Sequence, residues 1–162
     1  MHLHVLLQLI VLLTLANTTP VVAKKIFGER FAWPLDGGIQ FLDGRPLLGA
    51  AKTVRGVALS VLVTAAAAPL IGLDARIGAV VAAAAMAGDL LSSFAKRRLN
   101  LPPSSRATGL DQIPESLFPL LACREMLSLS AADVATGVAV FFLGAVIFSR
   151  LLYRLHMRDR PY

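Results

Sequence analysis

The sequence predicts an all-α, polytopic membrane protein with five transmembrane helices. Three observations carry this. Of 162 residues, 56% are hydrophobic and only 16% charged, whereas a soluble domain has roughly a quarter of its residues charged. The mean hydropathy is +0.69. The charges are also clumped, so apolar stretches near the ~20 residues needed to cross the hydrocarbon core alternate with short charged ones. No internal repeat or low-complexity tail interrupts the pattern, and 1–162 reads as a single membrane-embedded domain.

The first span runs from Leu3 to Val22 and contains 16-ANTTP-20. It lacks a basic n-region and a clean A-x-A cleavage site, so it reads as a retained helix rather than a signal peptide. The second runs from Val54 to Leu73. The third runs from Arg76 to Phe94, where Ala84 and Gly88, four apart, make a small-residue face for close packing. The fourth, from Ile113 to Leu129, is weaker because it includes Pro114, Glu115, Pro119, Arg124 and Glu125. The fifth runs from Val134 to Leu152. Ser130-Ala-Ala-Asp133 resembles a capping box at its start, with Asp in place of Glu or Gln. Phe27, Phe31 and Trp33 alternate with charges after the first span, as interfacial anchors do.

Lysine and arginine orient these spans. Six lie between Lys24 and Arg55: Lys24, Lys25, Arg30, Arg45, Lys52 and Arg55. Lys96, Arg97, Arg98 and Arg106 follow the third span, and Arg150, Arg154, Arg158 and Arg160 follow the fifth. The positive-inside rule then places the N-terminus outside, with both loops and the tail in the cytoplasm, and an odd number of spans agrees. The formal charge of +6 is explained by these flanking loops and by an anionic substrate, so no nucleic-acid partner is expected.

The single cysteine, Cys123, excludes an intramolecular disulfide and any multi-cysteine metal site, and reads as an apolar helix residue. His2, His4 and His156 share no metal-ligand spacing with another ligand type. The chemistry is concentrated in three stretches instead.

The first is 88-GDLLSSFAKRRL-99. At 100° per residue, Asp89, Ser93 and Lys96 fall within about 60° of each other, on a stripe about 10 Å long. Ser92 shares the face of Ala84 and Gly88, and Arg97 lies just off the stripe. An ionisable group inside a span is a functional-site hypothesis by default; the bland alternative is an ion pair between Asp89 and a basic residue near the helix end. The second stretch is 109-GLDQIPESL-117, reached through Pro102, Pro103, Ser104 and Ser105. Asp111 could converge with Asp89 across this turn, and two carboxylates plus phosphate oxygens suit Mg²⁺. Helix capping before Pro114 is the alternative for Asp111.

The third stretch is 43-DGRPLLGAAKTVRG-56. Gly44, Gly49, Lys52 and Thr53 look at first like a Walker A, but two alanines separate Gly49 from the lysine and no βαβ unit precedes them. Its glycines and the cations Arg45, Lys52 and Arg55 still suit phosphate binding through backbone N–H groups and side chains. An ordinary positive-inside loop is the alternative.

Together with 16-ANTTPV-21, these stretches resemble the CDP-archaeol synthase family, small relatives of phosphatidate cytidylyltransferases, in the expected order over most of the chain. The chain departs from the family where it has Asn100, often a glycine, and along 101-LPPSSRATG-109. The resemblance implies transfer of CMP from CTP to a lipid phosphate, with an archaeal-type unsaturated diether glycerol phosphate as acceptor and pyrophosphate as leaving group. It implies that Asp89 and Asp111 hold Mg²⁺ on the CTP phosphates and that Lys96 and Arg97 clamp a phosphate. Ser93 would hydrogen-bond a phosphate or a metal-bound water. Asp43, Arg45, Lys52, Thr53 and Arg55 would bind the nucleotide, with Arg98 and Gln112 beside them. Asn17 would line the lipid site or cap a broken helix. The expected partners are CTP, a lipid phosphate and the cytoplasmic membrane, with a homodimer left open.

Two other readings remain at this stage. One is the same reaction on diacyl phosphatidate. The other is a small transporter with Asp89 on an ion path, which predicts charge lining the spans rather than gathered in two loops.

Overall fold

The computed structural model describes residues 2–101, 107 and 109–154, the last seven as backbone. Of the positions singled out above, the 102–105 stretch, Arg106, His156, Arg158 and Arg160 lie outside the described residues, as do the side chains of Arg150 and Arg154. Among the described residues the chain is all-helical: α1 Leu3–Phe27, α2 Val54–Ala67 continuing as a 3₁₀ turn Ala68–Ile71, α3 Ala75–Arg98, α4 Gln112–Ala122 and α5 Ala131–Arg154. Among those residues the extended pairing is two isolated bridges in the loop between α1 and α2.

The helix α1 carries Pro20 in its interior, which removes the N–H that the Ala16 carbonyl would otherwise accept. The buried Ser60 hydroxyl of α2 donates to that carbonyl at 2.8 Å, supplying the donor that a lipid environment cannot. The helix therefore runs through Pro20 to Phe27, and the broken helix considered for Asn17 is not formed. Asn17 is half-buried and donates to the Leu13 carbonyl at 3.1 Å, one turn back.

Glycines set the closest helix contacts. A Cβ on Gly78 of α3 would lie 2.5 Å from the Thr64 carbonyl of α2, and one on Gly88 would overlap the Pro114 carbonyl of α4. The small-residue face expected around Ala84 and Gly88 is thus the seam to α4. On α5, a Cβ on Gly137 would lie 2.8 Å from Leu120 of α4. Leu6, Leu9, Leu12 and Leu13 of α1, Val81 and Ala85 of α3, Leu120 and Cys123 fill the core. Leu7, Val11, Leu62, Leu143 and Ile147 point outward, where a hydrocarbon surround makes exposure costless.

The capping box forms. Asp133 N–H donates to Ser130 Oγ at 3.1 Å, and the Asp133 carboxylate accepts from Ser130 N–H at 3.1 Å and from its hydroxyl at 2.7 Å. The same carboxylate accepts from the His2 N–H at 3.0 Å, joining the starts of α1 and α5. These contacts, with the Gln8 side chain on the Ile71 carbonyl, define one end of the bundle. Most of the described lysines and arginines gather at the other, with Arg76 and Arg124 the exceptions.

Among the described residues, three helices are long and apolar enough to cross a membrane: Leu3–Phe27, Val54–Ile71 and Ala75–Arg98, with Ala131–Ile147 a shorter apolar stretch. The expected fourth span is a helix of 11 residues followed by turns. At 1.5 Å per residue α4 rises about 16 Å, roughly half the hydrocarbon thickness.

Candidate active site

The charges of the bundle meet where the loop between α1 and α2 folds over the C-terminal turns of α3 and the start of α4. Asp89 lies about two and a half turns before the end of α3. Both of its carboxylate oxygens stand 2.6 Å from Lys52 Nζ. Lys52 is delivered from the residue before the α2 N-cap, where the Thr53 hydroxyl accepts from Gly56 N–H at 3.1 Å. Further along α3, Lys96 Nζ pairs with Asp111 Oδ1 at 2.8 Å, and Asp111 Oδ2 accepts from Ala107 N–H at 3.2 Å. Each carboxylate thus has a lysine from a different segment, and Asp89 is paired across the loop rather than along its own helix. Ser93, buried one turn beyond Asp89, donates its hydroxyl to the Asp89 carbonyl at 2.9 Å.

The α3–α4 seam brings in a residue that the sequence reading left inside a span. Besides the Gly88 contact, Ser92 Oγ lies 2.7 Å from the Leu110 carbonyl, and the Gln112 side chain accepts from Gly109 N–H at 2.7 Å. This seam sets the Glu115 carboxyl beside that of Asp89, with Asp111 and Lys52 close enough to interact through their charges. Two adjacent carboxyl groups need a shared proton or a cation to offset their repulsion.

The remaining cations hold the loop. Arg45 Nη1 donates to the Arg98 carbonyl at 2.6 Å, capping α3. In return, Arg98 Nη1 meets Asp43 Oδ1 at 2.5 Å and Nη2 donates to the Pro46 carbonyl at 2.6 Å. The Arg98 guanidinium also stands 4.7 Å over the Phe41 ring and 5.0 Å over Phe94. Arg55 donates to the Arg30 carbonyl and, at 3.1 Å, to that of Gly28. So Asp43, Arg45 and Arg98 reach the rim of the site, engaged with one another, while Arg55 ties the α2 start to the end of α1. Arg97 lies against Gly49, where a Cβ would be 3.9 Å from its Cδ and Nη1. Asn17, on α1, belongs to none of these contacts.

The loop's own organiser, Asp36, was also missed. Its Oδ2 accepts from Leu48 N–H at 2.8 Å and Gly49 N–H at 3.1 Å, and its Oδ1 from Gly38 N–H at 3.0 Å. Burial works to raise this carboxyl, but the three N–H bonds outweigh it and hold it below the usual carboxylate range. The backbone N–H groups at 48 and 49 are therefore committed to Asp36 rather than offered to phosphate. The available signal was Asp36-Gly37-Gly38 after Pro34, a turn composition with a side chain suited to capping it.

Mg²⁺ takes one or two protein carboxylates and fills its shell with water and substrate phosphates. Asp89 and Asp111, on adjoining elements and each held by a lysine that a phosphate could draw away, fit that requirement. Among the described residues no three acidic, histidine or cysteine side chains form a complete metal cage.

The description CarS-like, CDP-archaeol synthase, matches residues 2–162. The CDP-archaeol synthase of Hyperthermus butylicus is 35% identical over 147 residues, covering 87% of this chain and 79% of that protein. The CDP-archaeol synthase of Thermococcus kodakarensis is 33% identical over 165 residues, covering 91% of this chain and 89% of that protein. A solved structure of an intramembrane enzyme for archaeal membrane lipids biosynthesis superposes with a TM-score of 0.74 at 31% identity, covering 86% of this chain and 89% of that one. With the motifs in order and a family match over nearly the whole chain, this protein belongs to the CDP-archaeol synthase family.

Proposed function

We propose that the basic end of the bundle binds CTP and a lipid phosphate among Asp89, Asp111, Lys52, Lys96 and Arg97. The chain is a membrane enzyme that transfers CMP from CTP to an archaeal lipid phosphate, giving a CDP-activated lipid and pyrophosphate. The observation that carries the site assignment is the pair of crossed ion pairs, Lys52–Asp89 and Lys96–Asp111. Each holds a cation and an anion ready, 2.6 and 2.8 Å apart, for a substrate that needs both.

An oxygen of the lipid phosphate forms the new bond to the α-phosphorus of CTP, and the bond from that phosphorus to the pyrophosphate oxygen breaks. The lipid phosphate is largely dianionic at neutral pH and is its own nucleophile, so no acyl- or phosphoryl-enzyme is needed. The difficulty is electrostatic, because two anions must approach. Lys52 turns from Asp89 to a CTP phosphate, and Lys96 and Arg97 hold the triphosphate or the lipid phosphate. Ser93 turns from the Asp89 carbonyl to donate to a phosphate, with Thr53 and Gln112 fixing the starts of α2 and α4 around the nucleotide. Mg²⁺ supplies charge neutralisation on the triphosphate when bound, and Asp89 and Asp111 are the residues that would hold it. Asp43, Arg45, Arg98 and Arg55 shape the nucleotide side of the site by holding its loop. Asn17, half-buried on α1, is the polar group offered to the lipid.

For topology we propose five membrane-embedded segments in the cytoplasmic membrane, the N-terminus outside and the C-terminus inside. Support comes from the His2–Asp133 contact at one end and the Arg45–Arg98 contact at the other. Together they require α4 and its following turns to carry the chain from the basic end to the opposite one. A transporter reading is disfavoured, since the two ion pairs Lys52–Asp89 and Lys96–Asp111 gather beside the loop at the basic end instead of following one another along a span. Phosphatidate is disfavoured by the archaeal lipid enzymes among the relatives.

The test is turnover in detergent with labelled CTP, Mg²⁺ and either an archaeal-type ether lipid phosphate or phosphatidate. CDP-lipid should form with the ether lipid, and Asp89→Asn and Asp111→Asn should each abolish it while the protein stays folded. Near-full rate in either variant would remove that residue from the metal role.

A further inference from the structure

The segment that delivers Lys52 has no helix or strand of its own, yet its register is fixed at two points. At one, Leu35 N–H donates to the Lys52 carbonyl at 2.7 Å and Val54 N–H to the Trp33 carbonyl at 3.0 Å. At the other, the Asp36 carboxylate accepts from the N–H groups of Leu48 and Gly49, twelve and thirteen residues on. Asp36 is only 7% exposed, and the bonds described for its carboxylate all come from backbone N–H groups. Between the two points Lys52 N–H closes onto the Gly49 carbonyl at 3.1 Å. The segment is therefore a short clasp pinned at 48–49 and at 52. Its two ends face the site: Gly49, at φ +97°, against Arg97, and Lys52 against Asp89.

We propose that Asp36 is a positioning residue for the nucleotide. It acts through the 48–52 backbone to preset Lys52 and the Gly49–Arg97 contact before CTP arrives. A carboxylate suits this because it is acceptor-only, so both oxygens can receive N–H groups at once. An asparagine in its place offers one oxygen and points an amide N–H₂ at a backbone donor. The buried apolar core is built almost wholly from the helices, so loosening the clasp should act on the site more than on the fold. Preset groups spare the ordering cost that a loose loop incurs when ligand binds. The inference rests on the reading of Lys52 as a nucleotide ligand.

Asp36→Ala, Asp36→Asn and Lys52→Ala test it in detergent-purified full-length protein, by hydrogen exchange of the 47–52 backbone and by steady-state kinetics. In Asp36→Ala the amides of Leu48 and Gly49 should exchange at least about tenfold faster, since they lose their acceptor. KM for CTP should rise about tenfold, with KM for the lipid phosphate and the thermal midpoint little changed, because ordering of the nucleotide site is what is lost. Asp36→Asn should fall between Asp36→Ala and the unaltered protein on both readouts. Unchanged exchange at 48–49 overturns the proposal. So does faster exchange with no rise in KM for CTP while Lys52→Ala does raise it. If Lys52→Ala also leaves KM for CTP unmoved, the reading of Lys52 has failed, and the positioning role falls with it.

Discussion

Glu115 shows how a residue's meaning depends on its neighbour across a seam. In the sequence it is a charge that weakens an apolar stretch. In the structure it lies beside Asp89 and shares a field with Asp111 and Lys52. Three carboxyl groups facing two lysines leave a net negative charge when all are ionised, which favours a cation arriving with the triphosphate. Glu115→Gln removes one of those carboxyl groups at nearly constant shape. We expect it to raise the Mg²⁺ concentration for half-maximal turnover by about tenfold to a hundredfold, the range for loss of one supporting partner of a metal ligand, with a smaller effect on the rate at saturating Mg²⁺. A Mg²⁺ titration at fixed CTP and lipid phosphate measures this, and an unchanged midpoint would place Glu115 outside the cation's field. Asp89 was found from the sequence because a carboxylate in a span stands out. Glu115 was not, because its role depends on a glycine contact, Gly88 against Pro114, that no local pattern announces.

At the scale of an element, the end of α3 shows why asparagine suits position 100. Leu101 N–H donates to the Lys96 carbonyl at 2.9 Å and Asn100 N–H to the Arg97 carbonyl at 3.2 Å, the paired bonds of a Schellman motif. Asn100 sits at φ +58°, in the left-handed region. Glycine is the usual residue there, and asparagine is the side chain that tolerates it best. Asn100 therefore supports the left-handed turn that ends α3. Asn100→Ala should lower unfolding stability by about 1 kcal/mol through left-handed strain, while Asn100→Gly should stay within about 0.5 kcal/mol. Denaturant unfolding in micelles would resolve the two, and equal stability of the alanine and glycine variants would contradict the strain argument. Helix ends were legible for the same local reasons: the Ser130–Asp133 box formed as expected. The fourth span was less so, because Pro114 and Pro119 and an early end at Ala122 make a short helix from a sequence of nearly adequate hydropathy.

For the whole molecule, the sequence orients the spans by counting lysines and arginines, and the structure adds a constraint that counting lacks. Helix starts and ends are tied to particular neighbours, so the bundle has two chemically distinct ends. With the proposed site at the end that holds Lys52, Lys96 and Arg98, that end is expected to face the CTP pool and the end with His2 and Asp133 to face away. Which cations bind substrate and which hold the loop was illegible beforehand, because Arg45, Arg98 and Lys52 are equivalent in composition and differ only in partners. The two-ended arrangement makes a labelling prediction. In a Cys123→Ser background, Leu42→Cys places a thiol at a position 97% exposed on the basic loop, and Ala75→Cys places one at the exposed start of α3 at the opposite end. A membrane-impermeant maleimide should label the residue-75 thiol in intact cells and the residue-42 thiol only in inside-out vesicles, as the positive-inside rule requires. Labelling of the residue-42 thiol from outside would invert the topology and put the site out of reach of cytoplasmic CTP. Labelling of both thiols from one side would mean that α2 with its 3₁₀ extension does not cross the membrane.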